Sequence, residues 1–142
     1  GDRYRGEIVV DLLDNPYVSS MSSSNNFPVS TGCYQATIGG NQDGVLIKMN
    51  SNLSARTYAT YIGGTGPDAA YGVVPDALGG AYITGSVGTA HFGTITGAAY
   101  PTFRGGTNDA YIAHLDASGA TLLNATYFGT TNNWSVIFLK KS

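Results

Sequence analysis

The stretch TYIGG at positions 60–64 closes an alternating apolar run of the chain, and it recurs as TYFG at positions 126–129. In both copies the alternation of side chains predicts a short β-strand, and the glycine predicts the turn that ends it. The two tyrosines, Tyr61 and Tyr127, are 66 residues apart. A strand-and-glycine unit repeated at a fixed distance indicates that the chain is built from copies of one structural unit.

The repeat extends outward from these two strands at a nearly constant offset. Pairs of identical residues stand 65 positions apart: Asp11 and Asp76, Tyr17 and Tyr82, Phe27 and Phe92. The glycine pairs at 39–40 and 105–106 are 66 positions apart, so one residue is inserted shortly before the second pair. The chain therefore holds two copies of a unit of about 65 residues.

Each unit is predicted to contain four short strands joined by turns rich in Gly, Asn, Asp and Ser. The predicted strands of the first unit are 7–11, 17–21, 44–49 and 54–62. Those of the second unit are 71–76, 81–85, 109–115 and 120–128, and a further copy of the first strand is predicted at 134–139. No stretch of the sequence has the periodicity of a helix.

Four-stranded antiparallel sheets repeated radially are the blades of a β-propeller. The sequence predicts an all-β propeller segment with a first blade at 1–65, a second blade at 66–130 and the start of a third repeat at 131–142. A sandwich or jelly roll also uses short strands, but it does not require self-similarity at this period. Because propellers have about four to eight blades, we expect an incomplete propeller that other blades or other subunits complete.

Composition and charge exclude several classes of function. The net charge is −2, charged residues make up only 11% of the chain, and no basic face is apparent. Nucleic-acid binding requires such a face. No apolar run approaches the roughly 20 residues that span a bilayer, so no membrane insertion is predicted. Cys33 is the single cysteine, and it therefore cannot form an internal disulfide.

Four motifs of the chain resemble those of the SBBP (seven-bladed β-propeller) repeat family. They are TYIGG at 60–64, the run from Asp76 to Gly85 with GGAYITG, GCYQATIGG with the following Asp-Gly at 32–44, and KMN with the following Leu-Ser at 48–54. The resemblance implies a secreted or cell-surface bacterial protein. In Bacteroidota, such propellers commonly belong to large multidomain proteins that the type IX system exports.

The acidic residues and histidines are predicted to be structural. Four aspartates occupy repeated positions next to turns: Asp11, Asp76, Asp43 and Asp109. Each is solitary in its loop, whereas calcium needs six to eight converging oxygens. Hydrogen bonds from the aspartates to turn backbone explain them better. His91 and His114 lack neighbours at metal-ligand spacing, so we predict no metal, no cofactor and no catalytic residue in this chain.

The long connections between the second and third strands, at 22–42 and 86–108, differ most between the two units. Variable loops on a fixed scaffold are where binding specificity tends to lie. A binding surface is therefore predicted there, with these candidate residues: Phe27, Tyr34, His91, Phe92, Tyr100 and Arg104. The repeated tyrosines 17, 61, 82 and 127 are predicted to pack between blades rather than to stack on sugars.

Three functions are compatible with the sequence. The first is a non-enzymatic propeller segment of a secreted or cell-surface bacterial protein that serves as an interaction or adhesion scaffold for a protein or glycan. The second is part of an extracellular enzyme that acts on polysaccharide, with its catalytic residues elsewhere. The third is a structural subunit of a surface assembly or filament.

Overall fold

A computed structural model describes residues 6–92 and 95–131 of the chain. The described residues form eight β-strands and no helix. The all-β prediction is therefore confirmed. The predicted third repeat, apart from its first residue, lies outside the described residues.

The strands form two antiparallel sheets of four strands, each in sequential order. The first sheet contains β1 (Glu7–Val10), β2 (Pro16–Ser22), β3 (Asp43–Met49) and β4 (Arg56–Ile62). The second contains β5 (Ala69–Pro75), β6 (Ala81–Val87), β7 (Asp109–Leu115) and β8 (Leu122–Phe128). The prediction of two four-stranded antiparallel units is confirmed.

The fourth strand of each sheet begins later than predicted. β4 begins at Arg56 instead of Ser54, and β8 begins at Leu122 instead of Ala120. The preceding residues belong to turns that side chains hold, since the Ser54 amide donates to Asn52 Oδ1 at 3.1 Å. The alternation of apolar residues does not distinguish such a turn from the strand that follows it.

The first strand of the second sheet begins earlier than predicted, at Ala69 instead of Tyr71. Ala69 pairs with Ser86 and Ala70 with Gly85, which adds a ladder segment ahead of an irregularity in register. Small residues carry little strand propensity on their own. The added segment therefore depends on its partner strand rather than on local sequence.

The sheets pack face to face, with β5 lying against β1, β2 and β3. The interface and the sheet interiors form one hydrophobic cluster whose largest members are fully buried: Tyr17, Leu46, Tyr58, Ile62, Val73, Ile83, Val87, Tyr111, Leu115 and Tyr127. Burying a side chain of this size contributes about 1.5–3 kcal/mol. These side chains are the main stabilising element of a chain with few charges.

The sequence repeat is also a repeat of the backbone. Asp14 and Gly79 stand 65 positions apart, in the turns after β1 and β5, with φ of 62° and 93°. Leu53 and Gly119 stand 66 positions apart, in the turns after β3 and β7, with φ of 61° and 69°. Non-glycine residues rarely adopt this left-handed conformation. Because Asp14 and Leu53 adopt it at the positions where the second unit has glycine, both units follow the same turn geometry.

The antiparallel order gives the molecule two distinct ends. One, the turn end, carries the short turns 11–15, 50–55, 76–80 and 116–121. The other, the loop end, carries the long connections 23–42 and 88–108 and the link 63–68 between the sheets.

Candidate functional site

All the residues predicted for a binding surface lie in the connections at the loop end, but the structure gives them different roles. Phe27 and Phe92 anchor their loops to buried tyrosines. The Phe27 amide donates to Tyr61 Oη at 3.1 Å, and the two rings are 5.3 Å apart. One unit later, the Phe92 amide donates to Tyr127 Oη at 2.8 Å, with the rings 5.7 Å apart. The repeated contact makes both half-buried phenylalanines anchors of their loops, and Phe92 also packs against the hydrophobic cluster.

Tyr34 and His91 join the long connection of the first sheet to that of the second. Tyr34 Oη lies 3.2 Å from His91 Nε2, and the rings meet edge to face. Burial raises the pKa of Tyr34 to about 12, with a smaller contribution from Tyr127. Burial lowers the pKa of His91, and the charge of Asp43 opposes this only in part. A neutral tyrosine and a neutral imidazole therefore share this hydrogen bond across the sheet interface.

Tyr100 and Arg104 are the predicted binding residues that remain exposed. The Arg104 guanidinium lies 5.9 Å from the centre of the Tyr100 ring. Both side chains line a cavity of about 290 Å³ beside Phe128, Gly129 and Thr130. A cation and an aromatic face in one shallow cavity can contact a polar or aromatic ligand. These two side chains are the part of the predicted surface that is open to a partner.

A group of buried and half-buried residues lies under the loop end, where the link between the sheets passes β3 and β4. We call it the polar junction, and it comprises Gln35, Asp43, Gly63, Gly64, Asp68 and Gly88. Asp43 Oδ2 accepts hydrogen bonds from Gln35 Nε2 at 2.7 Å and from the Gly39 amide at 2.9 Å. Asp43 Oδ1 is buried and has no hydrogen-bond partner.

Asp68 connects the two sheets within the polar junction. Its carboxylate accepts hydrogen bonds from the amides of Gly64, just after β4, and Gly88, just after β6. The pKa of Asp68 is raised to about 6. Burial is the largest cause, the charge of Asp43 also raises the pKa, and the two amide donors offset part of the rise. Asp68 is thus a fully buried carboxyl, and its surroundings disfavour the ionised form.

Sequence reasoning found half of this arrangement. It predicted that Asp43 bonds to turn backbone, and Asp43 does accept the Gly39 amide. It did not predict that Asp43 is fully buried, and it missed Asp68. The available signal was Asp68 itself, which follows the TYIGG motif by four residues in a link that must cross from one sheet to the next.

Asp11 and Asp76 cap equivalent turns at the turn end, as the sequence predicted. Asp11 Oδ1 accepts the Leu13 and Asn15 amides at 2.9 and 3.0 Å. Asp76 Oδ1 accepts the amides of residues 78 and 80 in the same way. Burial acts to raise the pKa of both carboxyls, but their hydrogen bonds outweigh it and hold each pKa below its usual value.

The face of the second sheet that points away from the first, here called the open face, is exposed around an aromatic pair, although Thr84 and Ser86 on the same face of β6 are buried. Tyr82, 41% exposed, stacks on His114 with ring centres 4.0 Å apart. His114 Nε2 lies 2.6 Å from Asp76 Oδ2. These rings border a cavity of about 310 Å³ that Asn124 also lines. Of the repeated tyrosines predicted to pack between blades, Tyr17 contacts the other sheet through the Gly79 carbonyl. Tyr61 and Tyr127 are buried against the long connections of their own units, and Tyr82 is partly exposed.

Within residues 6–92 and 95–131, no three His, Cys, Asp or Glu side chains are grouped so as to hold a metal ion. The same part of the chain has no helix of the length and apolarity needed to cross a bilayer. Comparison of the sequence with protein-family models gives no match, and comparison with curated proteins gives none. The resemblance to the SBBP repeat family therefore stays a prediction that rests on the quoted motifs.

Proposed function

We propose that the chain is a two-blade segment of a β-propeller of the SBBP repeat type, and that it acts as a non-enzymatic scaffold for interaction or adhesion. The observation that carries this proposal is the way in which the second sheet covers the first. If the same packing continues, the second sheet requires a third unit on its open face.

Several of the contacts between the sheets come from repeated positions of the first sheet. Tyr17 Oη and Lys48 Nζ both donate to the Gly79 carbonyl at 3.0 Å. The Tyr58 ring packs against Gly119, where a β-carbon would stand 2.5 Å from the ring. All three side chains are buried by this contact with the turns of the second sheet.

The equivalent positions of the second sheet are Tyr82, His114 and Asn124, at offsets of 65, 66 and 66 residues. They line the open cavity of about 310 Å³ instead of contacting another sheet. A further unit placed on the second sheet as the second is placed on the first would cover all three. Repetition of this step around an axis gives the radial array of a propeller.

The ligand is proposed to be a protein or a glycan bound at the loop end. Tyr100 and Arg104 are exposed there, on connections that differ between the units. A tyrosine ring and a guanidinium are side chains enriched in binding surfaces. Secretion by the type IX system and attachment at the bacterial surface are proposed on the sequence resemblance alone.

The open face of the second sheet also favours the structural-subunit hypothesis. A head-to-tail contact between copies, with one copy's first sheet on the other's second sheet, would be heterologous and would give a ring or a filament. Light scattering of the purified chain distinguishes the two proposals. Concentration-dependent growth beyond a monomer favours the assembly, and a monomer favours a segment completed by other blades.

The propeller proposal can be tested by adding a blade. A second copy of residues 63–128 is inserted directly after Phe128, in phase with the repeat, and hydroxyl-radical footprinting is compared with that of the original chain. The inserted copy carries Tyr82→Phe, so that labelling reports only on the original Tyr82. We expect this tyrosine to become protected, because the inserted unit covers it. Leu12 and Leu78, which are exposed at the turn end, serve as controls and should not change. Unchanged labelling of Tyr82 in a folded protein would contradict the proposal.

The binding proposal is tested with Tyr100→Ala and Arg104→Ala on a glycan array and against surface proteins. Tyr82→Ala is the matched control, since it removes a partly exposed tyrosine outside the loop end. We expect a ligand of the chain to lose at least tenfold in affinity with the first two variants and little with the third. Turnover of an arrayed polysaccharide would favour the enzyme hypothesis instead.

A further inference from the structure

Two buried carboxylates converge on Gly63 in the polar junction. A β-carbon at this glycine would stand 2.6 Å from Asp68 Oδ2 and 2.9 Å from Asp43 Oδ1. Both aspartates are fully buried. The absence of a side chain at Gly63 therefore lets an acid of the first sheet and an acid of the link to the second approach the same point beside this glycine.

The hydrogen bonds of the pair are unequal. Each oxygen of Asp68 accepts one backbone amide, from Gly64 or Gly88. Asp43 Oδ2 accepts two donors, but Asp43 Oδ1 has none. A buried polar atom without a partner is costly, and two ionised carboxylates cannot bond to each other. The missing component is a single donor located between the two groups.

No cation among the described residues is seen to supply that donor. The titratable groups that interact with the pair are Tyr111 from β7 and His91 from the second long connection. Tyr34 is the hydrogen-bond partner of His91. Burial raises the pKa of Tyr111 well above its usual value, and its hydroxyl donates to the Ala69 carbonyl at 3.2 Å. Burial lowers the pKa of His91, whose ring bonds to Tyr34. All three groups are therefore neutral near pH 7.

We propose that the Asp68 carboxyl is protonated and donates a hydrogen bond to Asp43 Oδ1, so that this one hydrogen bond joins the ends of the two sheets. When Asp68 ionises, its proton passes to solvent and the junction is left with two facing carboxylates. The link between the sheets is therefore strongest in mildly acidic solution. This inference depends only on contacts within the chain and not on the proposed function.

The pKa of Asp68 agrees with this geometry in direction and sign. Burial, together with the charge of Asp43, raises it to about 6. Between the usual value of 3.8 and about 6, the folded chain binds more protons at this group than the unfolded chain does. The contribution of Asp68 to stability is thus fully present below pH 3.8 and is lost as the pH rises through 6.

A proton fits the polar junction better than a metal ion. Calcium takes six to eight oxygen ligands, and magnesium requires an octahedral set. Here both Asp68 oxygens already accept amide protons, and within the described ranges no third carboxylate, histidine or cysteine is grouped with the pair. A single unpaired oxygen matches the one bond that a carboxylic acid proton can make.

The second unit provides an internal control. Asp109 is also fully buried, and its Oδ1 also has no hydrogen-bond partner. Its Oδ2 accepts the Arg104 amide, and Gly129 stands where Gly63 stands in the first unit. The position equivalent to Asp68 is Trp134, which has no carboxyl group. Asp109 therefore occupies the setting that Asp43 has in the first unit, but without a partner acid.

The experiment follows the side-chain carboxyl ¹³C resonances of the full chain by NMR between pH 3.5 and 8.5. Asp68 is assigned with Asp68→Asn, and the titration is repeated in Asp43→Asn and Asp109→Asn. We expect a midpoint for Asp68 near 6, because that is where its pKa is raised. Asp43→Asn should lower this midpoint by about one pH unit or more, since an amide donor then faces the Asp68 carboxylate. Asp109→Asn should leave it unchanged.

Each other outcome overturns the proposal. A midpoint near 4 in the unmodified chain means that no proton is held, and a midpoint that Asp43→Asn does not move means that burial alone holds it. A midpoint that falls when CaCl₂ replaces EDTA means that a cation occupies the junction. If Asp43→Asn fails to fold, urea unfolding of Asp68→Asn decides. Its stability should vary less between pH 5 and 7.5 than that of the unmodified chain, and an equal variation refutes the shared proton.

Discussion

The ring of Tyr58 lies directly over Gly119, so that a β-carbon on the glycine would stand 2.5 Å from the tyrosine Cγ and Cδ2. Tyr58 is in β4 of the first sheet, and Gly119 is in the turn between β7 and β8 of the second. Two segments 61 positions apart in sequence thus pack directly against each other across the sheet interface. The contact requires both a large ring on one side and no side chain on the other.

Gly119→Ala is expected to destabilise the chain in two ways. Alanine at φ of 69° costs about 1–2 kcal/mol in backbone strain. Its methyl group also displaces the Tyr58 ring, and overpacking of this kind adds about 1–3 kcal/mol. Gly97→Ala is the matched control, because Gly97 has φ of 81° and nothing within 4 Å of its β-carbon position. Urea unfolding should show a larger loss for Gly119→Ala, and equal losses would mean that the ring moves aside freely.

Removing one hydroxyl at each of two repeat-equivalent tyrosines should have different effects. Tyr17 donates to the Gly79 carbonyl at 3.0 Å and is fully buried, whereas Tyr82 is partly exposed on the open face. Tyr17→Phe is expected to lower the free energy of unfolding by about 1 kcal/mol, the net value of such a bond. Tyr82→Phe should change it by less than about 0.5 kcal/mol. A greater loss at Tyr82 would indicate that this face is already covered in solution.

The sequence was sufficient to predict the strands and the repeat, because both depend on local patterns. Alternation of side chains located the strands to within about two residues, and the offset between units predicted which turns would match. Even the left-handed positions follow the repeat, although Asp14 and Leu53 replace the glycines of the second unit. The first unit alone would not have indicated a left-handed residue at position 53, since Leu is an unusual residue at positive φ.

The polar junction could not be predicted because its members meet only in three dimensions. Asp43 and Asp68 are 25 residues apart, and each appears in the sequence as an isolated loop aspartate of the kind that caps turns. Tyr34 and His91 likewise belong to different units. Of the predicted surface residues, Phe27 and Phe92 instead anchor their loops, because these loops fold back onto β4 and β8. The composition of the two loops does not indicate that they fold back onto these strands.

His91 should make the chain less stable as the solution becomes acidic. Burial lowers its pKa from the usual 6.5. Below pH 6.5, His91 is therefore protonated in the unfolded chain while it is still neutral in the folded chain. The stability is fully present above pH 6.5 and is lost as the pH falls toward the lowered pKa.

The measurement is the difference in unfolding free energy between the unmodified chain and His91→Gln at pH 7.5 and at pH 5.5. Using a difference removes the opposite contribution of Asp68, which both proteins share. We expect the advantage of His91 over glutamine to shrink at pH 5.5. A constant difference, or a histidine resonance that titrates at 6.5 or above in NMR, would contradict the burial of a neutral imidazole bonded to Tyr34.

Gln35 should be more important to stability than its partial burial suggests. Its Nε2 donates to Asp43 Oδ2 at 2.7 Å, and its Oε1 accepts the Gly63 amide at 2.9 Å. Gln35→Met keeps the size of the side chain but removes the donor to Asp43 and the acceptor for Gly63. Since leaving buried polar groups unpaired costs about 1–3 kcal/mol each, we expect a loss in this range, together with faster hydrogen exchange at the Gly63 amide. Gln42→Met is the control, because Gln42 Nε2 donates only to the Asp68 carbonyl. It should cost less and should leave exchange at Gly63 unchanged. Equal losses would show that Gln35 acts through packing rather than through its side-chain hydrogen bonds.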